Sequence, residues 1–219
     1  MVRRQSPVGI FGGTFDPIHI GHLRSALELA ERLSLAEVLM IPSAAPPHRP
    51  APGASAAHRL AMLQRALREV PLLRVEACEL HRVGPSYMVD TLIHLRQRYG
   101  EQRPLCLLVG GDAFLGLPRW SRWRTLLELA HIVVMRRPGW SLRAADRELQ
   151  PLLDAHGWGA DPVRLQRQPA GVVVTQEVTE LGISASAIRA LLAAGRSPRF
   201  LIPNTVLDYI ETHQLYQRD

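Results

Sequence analysis

The run PLCLLVG at 104–110 is apolar throughout and carries no charge. A strand exposed on one face alternates apolar and polar residues, so a continuous run of this length fits a strand covered on both faces. PVGIF (7–11), EVLMI (37–41), LLRVE (72–76), HIVVMRR (131–137) and GVVVTQEV (171–178) read as further strands. Between them lie segments with apolar residues at helical spacing. HLRSALELAERL (22–33) repeats Leu23, Ala26, Leu27, Ala30 and Leu33, and AAHRLAMLQRALREV (56–70) and YMVDTLIHLRQRYG (87–100) follow, the last stopping at Gly100. SASAIRALLAAG (184–195) and NTVLDYIETHQLY (204–216) predict two more helices near the C-terminus. Strand alternating with helix predicts an α/β fold, a doubly wound parallel sheet with helices on both faces. The 219 residues, 47% of them apolar, are enough for a single domain over 1–219 with a C-terminal helical part at about 184–216. PSAAPPHRPAPGAS (42–55) reads as a proline-rich loop, and 138–170 as an irregular excursion on the surface.

Charge narrows the chemistry. All 26 basic residues are arginine, for a formal charge of +6, and the chain has no lysine. That excludes a P-loop lysine, a Schiff-base lysine and a lysine general base. Any phosphate must be held by arginine, histidine or backbone N–H, and the planar guanidinium fork suits that task. Genomic composition bias is the bland explanation of the excess. The arginines are spread along the chain without a dense run and with few aromatics beside them, so nucleic acid is not an expected partner. No apolar run is long enough to cross a bilayer, and MVRRQSPVGIFGG has no signal-length apolar stretch. The expectation is a cytoplasmic protein with no membrane partner. Cys78 and Cys106 provide neither a disulfide framework nor a zinc set, and Cys106 reads as a small buried hydrophobe.

In doubly wound sheets ligands sit beyond the carboxyl ends of the strands, where strand order reverses. The loops to search are therefore GGTFDPIHIGH after the first strand and GGDAFLGLPRW after the fourth. In the first, Gly12 and Gly13 allow a sharp turn and close approach of the backbone to a ligand. Thr14 and Asp16 favour turns and Pro17 fixes a bend. The next helix should start near Ile20–Gly21, with His19 just before it and His22 in its first turn. Three readings of the two histidines stand: a metal site, a phosphate site at a helix N-terminus, and a plain helix start. The metal reading lacks the Glu of an HExxH pattern and any accompanying Cys/His cluster, and phosphate is the favoured reading.

GTFDPIHIGH (13–22) resembles the G-x-F-D-x-x-H-x-G-H signature of the nucleotidyltransferase superfamily. ISASAIR (183–189) is similar to its second element, I-S-[ST]-[ST]-x-[IV]-R, matching at Ile183, Ser184, Ser186, Ile188 and Arg189 and departing at Ala185. More narrowly, the chain resembles the bacterial nicotinate mononucleotide adenylyltransferases. PSAAPPHR (42–49) resembles their P-x-x-x-P-P-H-[KR] loop, HRLAML (58–63) their H-R-x-x-M segment, and SYMVDTL (86–92) their S-Y-T-x-D-T-L. GGDAFLGLPRW (110–120) and RRPG (136–139) are similar to two further motifs, so the likeness runs from residue 8 to about 213. Met88 replaces the usual threonine of the fourth pattern, which puts a side-chain hydroxyl contact there in doubt but not a backbone one.

The resemblance implies a Rossmann-like nucleotidyltransferase fold and transfer of the adenylyl group of ATP to nicotinate mononucleotide, with release of pyrophosphate. It implies that Gly12, Gly13, Thr14, Phe15, His19, His22, Gly110, Asp112, Ile183, Ser184, Ser186 and Arg189 bind ATP, with His19, His22 and Arg189 catalytic and Mg²⁺ bound with the ATP rather than in a protein cage. Asp112 is expected at the adenosine ribose, or as a helix N-cap, or both. For nicotinate mononucleotide it implies His48, Arg49, Met88, Trp120, Ser121 and Arg137, with Arg49 and Arg137 at the phosphate. Trp120 would face the pyridine ring unless it is an ordinary packed aromatic. The N–H groups near Met88 and Ser121 would meet the ring carboxylate. His58 and Arg59 read as helix-start and packing residues as much as site residues. Three rival readings stand beside this one: a sister transferase using phosphopantetheine or a cytidylyl donor, a non-enzymatic binder on the same fold, and an aminoacyl-tRNA synthetase. The PPHR loop and SYMVDT argue against the first, and intact His19, His22 and Arg189 against the second. The third needs KMSKS-like lysines that the chain lacks.

Overall fold

The computed structural model describes residues 5–45, 51–136, 148–156, 158–159 and 161–217. Six parallel strands form one sheet: β1 (Val8–Gly13), β2 (Glu37–Pro42), β3 (Leu73–Val75), β4 (Leu105–Gly110), β5 (His131–Arg136) and β6 (Val173–Glu177). The helices are α1 (Ile20–Arg32), α2 (Ala56–Leu67), α3 (Met88–Tyr99), α4 (Gly111–Leu115), α5 (Leu126–Leu129), α6 (Gln150–His156), α7 (Ala185–Ala193) and α8 (Asn204–Thr212).

Strand order is β3-β2-β1-β4-β5-β6, so the chain winds outward from β1 on one side and then restarts at β4 on the other. The reversal falls between β1 and β4, and the two loops singled out in the sequence leave the sheet side by side at this point. Along β4 the side chains alternate between two cores. Leu105, Leu107 and Val109 pack with Leu92 and Leu95 of α3 and Leu126 of α5. Cys106 and Leu108 pack on the other face with Leu29 of α1, Met62 of α2 and Ile210 of α8. Both faces are buried, which is why the strand shows no polar alternation.

All six strands and the five longer helices fall where the periodicity places them, but several ends differ. α2 stops at Leu67 rather than 70, shortly before Pro71. α8 ends at Thr212 rather than 216, because Gln214 and Tyr216 take left-handed conformations (φ 51° and 63°) and turn the chain back. Residues 111–129 form one-turn pieces, α4, α5 and the 3-10 turns Leu117–Arg119 and Trp123–Thr125, too short to show a helical period. Within 138–170, the described residues include α6 and a 3-10 turn at Pro162–Gln166.

His131, at the start of β5, is fully buried. Its Nδ1 accepts the Val172 N–H at 3.2 Å and its Nε2 lies 2.9 Å from the Gln168 carbonyl oxygen, so the ring is the neutral Nε2–H tautomer with both nitrogens satisfied. Burial holds it down to about 4, against an ordinary 6.5. Between those values the unfolded chain binds the proton and the folded chain does not. The stability is therefore complete above pH 6.5 and is lost as pH falls toward 4. Denaturant melts at stepped pH should show a loss of about 3 kcal/mol or less from this group. His131→Gln should flatten part of that slope, and an identical slope in the variant would contradict the assignment.

Candidate active site

The turn after β1 is built around a folded-back aromatic. Phe15 sits in the left-handed region at φ 49°, and its buried ring makes edge contacts with Phe11 (centroids 6.0 Å) and His22 (5.2 Å). A Cβ at Gly13 would stand 2.9 Å from that ring, and one at Gly12 would stand 2.6 Å from the Met88 methyl group. The two glycines let the turn close on itself and against the start of α3.

His19 is the N-cap of α1. Its backbone is extended (φ −144°) and its Nδ1 accepts the His22 N–H at 3.4 Å, so the neutral ring carries its proton on Nε2. The two imidazoles stack at 3.6 Å with 23° between planes. Burial lowers the His19 pKa from 6.5 to about 4. The helix-start reading is thus correct for His19, and a cap of this kind does not prevent Nε2 from serving a ligand.

The sequence reasoning missed the network beneath this turn. Asp16 is buried, and one carboxylate oxygen accepts the Gly53 N–H at 2.7 Å. The other accepts the Ala54 N–H at 3.1 Å and the Tyr216 hydroxyl at 2.7 Å. Arg189 donates from Nη1 to the Asp16 carbonyl at 2.6 Å, and that nitrogen lies 3.5 Å from the carboxylate. Arg59, 1% exposed, donates to the carbonyls of Thr14 (2.8 Å), Ser43 (2.7 Å) and Ala54 (3.3 Å). Burial lowers the Arg59 pKa, with Asp16 opposing, and burial together with the Asp16 carboxylate pushes the Tyr216 phenol up. Asp16 and Arg59 were visible inside quoted motifs. No signal pointed to Tyr216.

The distant ISASAIR segment arrives at the same place. Ser184 caps α7, its Oγ accepting the Ala187 N–H at 3.2 Å, with the Ser186 hydroxyl 3.2 Å away. The Ile183 Cβ lies 3.8 Å from where a Cβ on Gly21 would be, so the N-termini of α1 and α7 adjoin. The start of α1, with His19 and His22, thus lies beside Ile183 before α7, and Arg189 of α7 reaches Asp16 in the same turn. Two helix starts and a guanidinium favour an anion there.

On the β4 side, Gly110 takes the cap position of α4, leaving open space where a Cβ would be. Asp112 is exposed in the first turn, so the N-cap alternative for it is incorrect: the helix begins one residue before it, with Gly110 at the cap. Met88 is the first residue of α3, whose cap residue Tyr87 makes no side-chain cap bond. Ser121 precedes Arg122, which pairs with Asp90 of α3 and so ties the 120–122 segment to that helix near its start. Trp120 is half-buried and packs against the second core. Ser86 Oγ accepts the Ala44 and Ala45 N–H groups at 2.9 and 3.3 Å, bringing 43–45 beside the same helix start. His48, Arg49 and Arg137 lie outside the described residues.

A parallel sheet with paired helix starts and an HxGH turn at its switch point is the arrangement expected of a nucleotidyltransferase, and the chain's relatives fall in that class. A family model described as cytidylyltransferase-like matches residues 10–191. A relative from Hahella chejuensis named "Probable nicotinate-nucleotide adenylyltransferase" is 49% identical over 98% of each chain. One of the same name from Pseudomonas aeruginosa strain UCBPP-PA14 is 50% identical over 96% of this chain and 97% of its own. The chain belongs to the nicotinate-nucleotide adenylyltransferase family, within the cytidylyltransferase-like proteins. Among solved structures, the Plasmodium falciparum nicotinic acid mononucleotide adenylyltransferase complexed with NaAD superposes with a TM-score of 0.73 at 15% identity, covering 97% of this chain and 98% of that one. At that identity the likeness shows the fold.

Arg59→Leu leaves three carbonyls without their donor and should lower unfolding stability by about 3 kcal/mol. Urea melts measure this, and a loss under about 1 kcal/mol would show that Arg59 does not hold the turn.

Proposed function

We propose that this enzyme transfers the adenylyl group of ATP to nicotinate mononucleotide, giving nicotinate adenine dinucleotide and pyrophosphate. The observation that carries the reading is the meeting of the α1 and α7 starts with Arg189 at the switch point. A phosphate oxygen of the mononucleotide attacks the α-phosphorus of ATP, and the bond to the β-phosphate breaks in line with it. The nucleophile is already an anion, so positioning and charge stabilisation suffice and no strong base is needed.

His19 and His22 serve the phosphates as charge passes to the departing pyrophosphate. Arg189 uses Nη1 on Asp16, which leaves Nε and Nη2 as a fork for the β and γ phosphates. Gly12, Gly13, Thr14 and Phe15 shape the turn under the nucleotide, Ile183, Ser184 and Ser186 present the α7 start, and Gly110 and Asp112 take the adenosine side. The substrate is MgATP. Asp16, the carboxylate nearest the turn in sequence, already accepts three hydrogen bonds, which suits a Mg²⁺ carried by the phosphates rather than by a protein cage. Met88 and Ser121 offer backbone N–H to the ring carboxylate, Trp120 a flat face, and His48, Arg49 and Arg137 the acceptor phosphate. The partners are two small nucleotides in the cytoplasm, with no nucleic acid or membrane. No helix among the described residues is long and apolar enough to cross a membrane.

Purified protein with MgATP should release pyrophosphate when given nicotinate mononucleotide, and more slowly with the amide mononucleotide or phosphopantetheine. No pyrophosphate with the nicotinate substrate overturns the reading. His22→Ala and Arg189→Ala should each lower kcat by about 100-fold or more. Wild-type turnover in either variant would remove that residue from the machinery.

A further inference from the structure

Away from the nucleotide site, Glu76, Cys78 and His94 bring a carboxylate oxygen, a thiol sulfur and a ring nitrogen within 4.8 Å of one another. Glu76 directly follows β3, Cys78 opens the 3-10 turn Cys78–His81, and His94 is in the middle of α3. Donors around one tetrahedral zinc stand about 3.5 Å apart, so a modest rotation of the exposed His94 closes the set. Glu76 is already oriented: one oxygen accepts the Cys78 N–H at 3.0 Å and the other pairs with Arg98. Cys78 and His94 also line an open hollow of about 400 Å³, with His81 and Asp90 on its wall. The hollow gives an entry path, and water can supply a fourth ligand.

We propose that Glu76, Cys78 and His94 form a binding site for a thiophilic divalent cation of the zinc class, joining the 76–78 segment to α3. Two cysteines cannot make a cysteine-rich zinc set, but one cysteine with a histidine and a carboxylate is a different and sufficient donor set. Formal charges nearby cancel, with Glu76, Glu79 and Asp90 against Arg82, Arg98 and Arg122. A hard cation held by charge alone gains little there, and selectivity falls to sulfur and imidazole. A metal–sulfur bond forms as the Cys78 thiol gives up its proton to solvent, with no change of oxidation state.

The test is titration of the purified full chain with Co²⁺, read by the sulfur-to-cobalt charge-transfer band, then competition with Zn²⁺ and with Mg²⁺. The wild type should show the band, and Zn²⁺ but not Mg²⁺ should abolish it. Cys78→Ser should lose the band, and His94→Ala, at an exposed position that tolerates change, should bind roughly tenfold more weakly or worse. Zn²⁺ should also raise the Tm of the wild type but not of Cys78→Ser. No thiolate band at millimolar Co²⁺, unchanged affinity in both variants, or equal competition by Mg²⁺ would overturn the proposal.

Discussion

The Asp16 carboxylate is the point on which the proposed nucleotide site hangs. It lies in the turn between β1 and α1, yet its partners come from three other places: the 53–54 backbone, the α7 arginine and the tyrosine of the C-terminal tail. A buried carboxylate is tolerable only when hydrogen bonds replace its lost water, and two N–H groups and one phenol do so here. Arg59 completes the arrangement from below by gathering carbonyls of the turn, of the β2 exit and of the loop before α2. The geometry of the first loop is therefore a property of the whole molecule.

A chain without lysine divides its arginines between two kinds of work. Arg59 and Arg96 collect backbone carbonyls. Arg96 reaches Leu129, Gly100, Glu101, Arg103 and Pro169 and so closes the connections around α3 at the edge far from the site. A five-donor planar fork can do this where a lysine ammonium cannot. Arg189 stands between the two kinds, with Nη1 on the Asp16 carbonyl and a proposed role at the phosphates. In that role, the carbonyl contact would limit the entropy lost on meeting a phosphate.

Much of this was legible in the sequence. Continuous apolar strands such as β4 announce burial on both faces, and the helix between 20 and 32 announces itself by its period and its glycine-rich entrance. The pairing of GTFDPIHIGH with ISASAIR also proved spatial, since Gly21 and Ile183 adjoin. The rest depends on tertiary contacts that leave no local trace. The apolar pattern of 204–216 continues past Thr212, while the chain turns at left-handed Gln214 and Tyr216 to deliver a hydroxyl to Asp16. The one-turn helices of 111–129 are shorter than the period that would reveal them. Asp112 allowed a cap reading beside its ribose one because aspartate favours that position, but Gly110 occupies it.

The most direct measurement is a crystal structure of the enzyme with a non-hydrolysable ATP analogue and Mg²⁺. The β and γ phosphates should lie between the starts of α1 and α7, within hydrogen-bond reach of His22 and of Arg189, with Asp16 still holding Gly53, Ala54 and Tyr216. A triphosphate bound away from both helix starts, contacting neither His22 nor Arg189, would contradict the assignment of this turn as the phosphate site.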